Sequence, residues 1–185
     1  GGAAFIVKFD SSGSRLWASY YGEKATSGHD ITTDASGNVY LSGGTQSTNA
    51  IAFGGFQNTY GGGAGDAFIV KFDSSGSRLW ASYYGGSGTM GYEGGGPNSI
   101  ATDLAGNVYL SGSTESKNLI ASGGFQNTFG GWISSYIIKF SSSGNRIWST
   151  YYGGDPPSTY ALTNDLTTDA FGNVYLSGET NNSVG

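Results

Sequence analysis

The chain contains no cysteine, which removes disulfides, thiolate metal sites and cysteine nucleophiles together. Histidine occurs once, at His29, so no histidine pair exists to hold a metal, and no cofactor is expected. A Ser-His-Asp arrangement has no support beyond composition in so serine-rich a chain. Charged residues make up only 11% of the sequence, against roughly a quarter in ordinary soluble proteins. Six of the eight basic residues (Lys8, Lys71, Lys139, Arg15, Arg78 and Arg146) recur at equivalent places in a repeat, within a net charge of −5. No basic stripe is left over to neutralise a phosphate backbone, so nucleic acid is not an expected partner. There is no run of 18 apolar residues, so no membrane-spanning helix is expected. Gly1-Gly2-Ala3-Ala4-Phe5 lacks the basic and apolar regions of a signal peptide, so any targeting segment is expected outside this sequence.

What is present is glycine, aromatics and repetition. The 34 glycines come with only 3 prolines and no collagen period, and 15% aromatic residues argue against a flexible linker. One block, FIVKFDSSGSRLWASYYG, runs from Phe5 to Gly22 and recurs unchanged from Phe68 to Gly85. A diverged copy, YIIKFSSSGNRIWSTYYG, runs from Tyr136 to Gly153. A second block, GNVYLSG, starts at Gly37, Gly106 and Gly172, and a third, GGFQNT, at Gly54 and Gly123. Three blocks sharing one period of about 65 residues define a repeat array.

Each period holds four segments rich in Val, Ile, Tyr, Phe and Trp, as strands are, and none carries a sustained helical pattern. Taking one copy of each, the first two strands are expected over Ser99–Thr102 and Asn107–Ser111. The third and fourth are expected over Phe68–Phe72 and Arg78–Tyr84. Asp34-Ala-Ser-Gly37, Asp103-Leu-Ala-Gly106 and Asp169-Ala-Phe-Gly172 are type I turns between strands one and two. Asp73-Ser-Ser-Gly76 joins strands three and four, and Gly76 and Gly106 are expected at positive φ. These aspartates read as turn residues, because the alternating acidic ligands of a calcium loop are missing.

A four-stranded antiparallel unit repeated about an axis is a β-propeller blade. Stacked blades cover both sheet faces, which accounts for continuous apolar runs such as Phe68-Ile69-Val70. The fold class is therefore all-β, with about three blade-equivalents. A half blade is expected over 3–22, blades over 30–85 and 99–153, and a second half blade over 165–180.

The ordered blocks D-x-x-G-N-V-Y-L-S-G, G-G-F-Q-N-T and D-A-F-I-V-K-F-D-S-S-G-x-R-L-W-x-S-Y-Y-G-G resemble the bacterial SBBP family of β-propeller repeats. The resemblance spans almost the whole chain and implies an extracellular or cell-surface setting. It carries no common catalytic residues. Family repeats often have a proline-containing stretch before the F-Q pair, where this chain has Ile51-Ala52-Phe53-Gly54-Gly55.

Binding chemistry on a rigid scaffold tends to use variable loops. The repeated Phe56-Gln57 and Phe125-Gln126 are expected to pack. The residues that occur once, Trp132, Tyr92, Glu93, Met90, Asp155 and Tyr160, are the ligand candidates, and Trp132 stands where the other copy has Ala64. An exposed indole could stack on a sugar or fill a protein pocket. Glu93 and Asp155 lie in equivalent loops, where a carboxylate pair for glycoside hydrolysis would need to face across a cleft. His29 has Asn98 and Asn164 as counterparts, which reads as a polar turn position. The expected function is non-enzymatic: a structural module that self-associates through its half blades. The alternative is a carbohydrate- or protein-binding propeller.

Overall fold

A computed structural model describes residues 2–23, 25–88, 97–153 and 159–181. Twelve strands follow one another without an intervening helix among these residues. The first two, β1 (Ala4–Phe9) and β2 (Arg15–Tyr21), form a two-stranded sheet. Then β3 (Thr26–Thr33), β4 (Val39–Thr45), β5 (Asp66–Phe72) and β6 (Arg78–Tyr84) form a four-stranded antiparallel meander. A second meander contains β7 (Pro97–Thr102), β8 (Val108–Thr114), β9 (Ser134–Phe140) and β10 (Arg146–Tyr152). Finally β11 (Ala161–Thr168) and β12 (Val174–Thr180) pair alone. The architecture is that of propeller blades: a half blade, two full blades and a complementary half blade.

The turns set the hairpins. Gly37 N–H bonds the Asp34 carbonyl, and Asp34 Oδ1 accepts from the N–H groups of Ser36 and Asn38. Gly76 and Gly106 take φ of +89° and +79°, the left-handed region that glycine enters without a Cβ clash. Central strands β4, β5 and β8 are buried along their whole length. One core layer packs Tyr40, Ile69, Trp80 and Tyr84 against Leu110, Tyr136, Ile138 and Phe140 of the next blade. Another packs Ala4, Ile6 and Tyr21 against Leu41, Phe68, Val70 and Phe72.

The inner strands begin earlier than their apolar residues indicate, at Thr26 and Ala161 rather than near 30 and 165. A register shift between Gly28 and Asp30, and another between Thr163 and Asp165, lets each strand continue through an extra residue. His29 is therefore a strand residue at a bulge and not a turn residue. Its ring is held by Ser27 Oγ (2.9 Å) and by the Pro97 carbonyl (3.1 Å) of the next blade.

The long loop between strands two and three latches onto the outer strand of its own blade. Phe53 exchanges backbone hydrogen bonds with Ala81, and Tyr83 N–H bonds the Gln57 carbonyl. Ser122–Ser149 and Tyr151–Gln126 repeat this in the second blade. The latch covers what would otherwise be an open sheet edge.

Candidate functional site

Two regions could carry function: the long-loop face, and the open ends of the array. On the loop face, Trp132 is 58% exposed while its N–H is fixed to the Thr159 carbonyl (2.9 Å). The adjacent Ile133 forms a parallel bridge to Tyr160, so Trp132 and Tyr160 are brought close along the backbone. Tyr160 N–H also bonds Asn181 Oδ1 at 2.8 Å. Tyr92, Glu93, Met90 and Asp155 lie outside the described residues. Among the described residues, no group of three or more His, Asp or Glu side chains is placed to hold a metal ion.

Gln57 and Gln126 pack, each donating to the carbonyl of the glycine that follows the outer strand, Gly85 or Gly153. Their phenylalanine neighbours differ. Phe56 lies under the Arg146 guanidinium of the following blade, 4.4 Å from its ring centre, whereas Phe125 is almost fully exposed. The arginine in question comes from the next blade's outer strand, and among the described residues no such strand lies beside Phe125. Phe125, expected to pack like Phe56, is instead exposed.

Contacts between blades follow one pattern along the array. Between blades, a lysine of strand three and a tryptophan of strand four donate to one serine carbonyl in the next blade's turn. Lys8 Nζ and Trp17 Nε1 reach the Ser74 carbonyl, each at 3.1 Å. Lys71 and Trp80 reach the Ser142 carbonyl at 3.2 and 3.0 Å. The lysine also pairs with the turn aspartate of its own blade, as Lys71–Asp34 (3.3 Å) and Lys139–Asp103 (3.4 Å). Burial pushes the Asp34 and Asp103 carboxyls up, but hydrogen bonds from Asn38 and Asn107 and from the lysines outweigh it, and both pKa values lie below normal. The equivalent Asp169 binds Asn173 and Tyr175 and sits at about 2, with no lysine beside it among the described residues. Motif reading missed these inter-blade staples, although the recurrence of Lys8/Lys71/Lys139 and Trp17/Trp80/Trp148 was their signal.

Identical sequence is buried in one place and exposed in another. Phe68 and Phe72 are 0% and 3% exposed, while Phe5 and Phe9, at the same places in the same block, are 69% and 55% exposed. Tyr84 is 0% exposed and its counterpart Tyr152 57%. β12 reads VYLSGET and is mostly exposed, yet β8, VYLSGST, is buried throughout. Each end also opens a groove. One, of about 630 Å³, lies between β10 and β12 and is lined by Ile137, Trp148, Tyr152, Val174 and Leu176. The other, of about 560 Å³, lies between β1 and β3 and is lined by Phe5, Val7, Gly28, Ile31 and Leu41.

The comparisons agree with this architecture. The family model for the SBBP beta-propeller repeat matches residues 96–120 and 147–184. Those matched segments are similar to SBBP-type repeats, which supports an SBBP-type repeat family for the array. It is also similar to an uncharacterized WD repeat-containing protein of Acanthamoeba polyphaga mimivirus, 29% identical over 132 residues. That match takes in 61% of this chain but only 9% of the relative's length.

Proposed function

We propose that the protein is a non-catalytic, extracellular or cell-surface scaffold that self-associates by completing its half blades between molecules. The observation that carries this reading is the twice-used block: residues buried in β5 and β6 stand exposed in β1 and β2. Covering each such aromatic contributes roughly 1.5–3 kcal/mol, enough over several residues to drive association. The contact is head-to-tail, so it closes into a ring or propagates as a filament. Two chains would supply six blades, within the 4–8 of known propellers. Light scattering tests the reading: a multimer is expected at micromolar concentration, and a monodisperse monomer across the accessible range would sink it.

The exposure of Trp132 favours one second reading, a lectin-like contact on the loop face. Trp132→Ala should then abolish binding on a glycan array while leaving the melting temperature within about a degree, as expected for a surface side chain. An array with no wild-type binding would remove this reading.

A further inference from the structure

We infer that the groove between β10 and β12 is the seat for β1 and β2 of a second copy, which enter in one defined register with Phe5 and Phe9 as anchors. The inference rests on the self-association reading above and names its interface. Its warrant is that the chain already makes the same contact twice. Between the first half blade and the first full blade, Phe72 lies against Trp17 and Tyr21, with ring centres 6.4 and 6.1 Å apart. Between the two full blades, Phe140 lies against Trp80 and Tyr84 at 6.1 and 6.2 Å. One repeat further on, the receiving pair is Trp148 and Tyr152, both lining the groove, and the ring at the Phe72/Phe140 position is Phe9.

Independent features converge on that seat. The staple donors Lys139 and Trp148 have their counterpart acceptor at the Ser11 carbonyl, in the turn between β1 and β2. A Cβ on Gly76 or Gly144 would lie 2.9 or 2.7 Å from the ring of Trp17 or Trp80, whereas one on Gly13 would meet nothing within 4 Å. Gly13 thus leaves the space that an indole fills in the other two turns, and Trp148 is the indole without a turn. The charges match as well: among the described residues, Asp169 has no lysine such as Asp34 and Asp103 have, and Lys8 has no aspartate such as Lys71 and Lys139 have. Arg15 is the residue that would cover Phe125, as Arg146 covers Phe56.

The register follows from the β4–β5 ladder, in which Tyr40 faces Lys71, Leu41 faces Val70 and Gly43 faces Phe68. Transferred to the ends, Tyr175 faces the second copy's Lys8, Leu176 its Val7 and Gly178 its Phe5. Glycine at 178 leaves room for the phenylalanine ring, as Gly43 does, where an added Cβ would lie 2.7 Å from Phe68.

The absence of native cysteine makes the test clean. Val7→Cys and Leu176→Cys are made in separate 185-residue chains, mixed and oxidised. Directly opposed residues fall within disulfide reach, while a pair slipped by one residue points to the other face. A cross-linked dimer is expected from this pair and none from Val7→Cys with Ser177→Cys. Phe9→Ser, which alters a side chain that is exposed in the single chain, should raise the apparent dissociation constant at least tenfold and leave the melting temperature unchanged only at high dilution, where the chains are separate. A wild-type multimer that cross-links only in the slipped pair, or not at all, and is indifferent to Phe9→Ser would overturn this interface and leave self-association standing. A wild-type monomer with no cross-link would end both.

Discussion

Asp66 opens β5 with a fully buried carboxylate that accepts from the Gly61 N–H through Oδ2, while Oδ1 has no donor among the described residues. Burial pushes its pKa up to about 6, the Gly61 bond acting in the opposite direction. In the unfolded chain the group titrates near 3.8, so between those values the folded state holds the extra proton and stability falls as pH rises through 6. Asp34 and Asp103 act in the other sense: their contribution is complete above 3.8 and is lost as pH drops through their lowered values. Urea unfolding should therefore show maximal stability near pH 4, with a decline toward pH 6. Asp66→Asn should gain roughly 1–2 kcal/mol at pH 8 and little at pH 4, less than the shift alone allows because an amide adds a donor. A flat profile in wild type would count against the buried charge. Two tyrosines make a second contrast. Tyr84 Oη donates to the Ile120 carbonyl at 2.6 Å, so Tyr84→Phe should cost about 1–2 kcal/mol. Tyr136 Oη is buried without a partner among the described residues, and Tyr136→Phe should be neutral or stabilising by up to about 1 kcal/mol in the same assay. The repeat alignment hints at both differences, since Phe68 stands opposite Tyr136 and Ser134 opposite Asp66. The partners do not show there: a backbone carbonyl such as that of Ile120 has no signature in sequence.

At the scale of hairpins and blades, the turn glycines separate two costs that residue type cannot. Gly144 and Gly172 share the same turn position at φ of +86° and +81°. A Cβ on Gly172 meets nothing within 4 Å, but on Gly144 it lies 2.7 Å from the Trp80 ring, whose Nε1 holds the Ser142 carbonyl. Gly172→Ala should cost about 1 kcal/mol from backbone strain, and Gly144→Ala about 2–4 kcal/mol because the staple must shift as well. Equal losses in chemical denaturation would show that the staple adds nothing. The glycine conformations and the four-strand period were legible because turn chemistry and apolar blocks are local. The starts of β3 and β11 were not, since Thr26-Ser27-Gly28-His29 has little strand propensity. That segment becomes strand through neighbours, as in the equivalent Thr163, whose N–H and hydroxyl bond Ser113 Oγ and the Gly112 carbonyl.

For the molecule as a whole, repetition made the blades readable, while the contacts between blades required coordinates. Lys71 and Ser142 are 71 residues apart, and no spacing rule brings them together. The proposed completion of half blades between molecules would couple folding to concentration. The melting temperature should rise by several degrees over a hundredfold increase in protein concentration, on the scale that about 1 kcal/mol produces. Amide exchange should also slow in β1 and β12, which are open in the single chain, more than in β5 and β8, already closed. A concentration-independent melt with fast exchange in β1 would argue for a free-standing chain.

The exact duplication of Phe5–Gly22 as Phe68–Gly85 has a kinetic consequence. While the chain folds, β4 meets two indistinguishable strand pairs, one upstream and one downstream, each offering the same antiparallel ladder. Joining β4 to β5 closes a loop of about 20 residues and joining it to β1 one of about 29, a difference of only a few tenths of a kcal/mol in closure entropy. Strand pairing therefore does not choose the topology. The choice falls to groups that only one alternative engages: Phe53 and Gln57 in the loop before β5, which fasten to Ala81, Tyr83 and Gly85 once that loop has closed on its own blade. The latch that shields an edge in the finished structure thus acts as a proofreading element on the way to it.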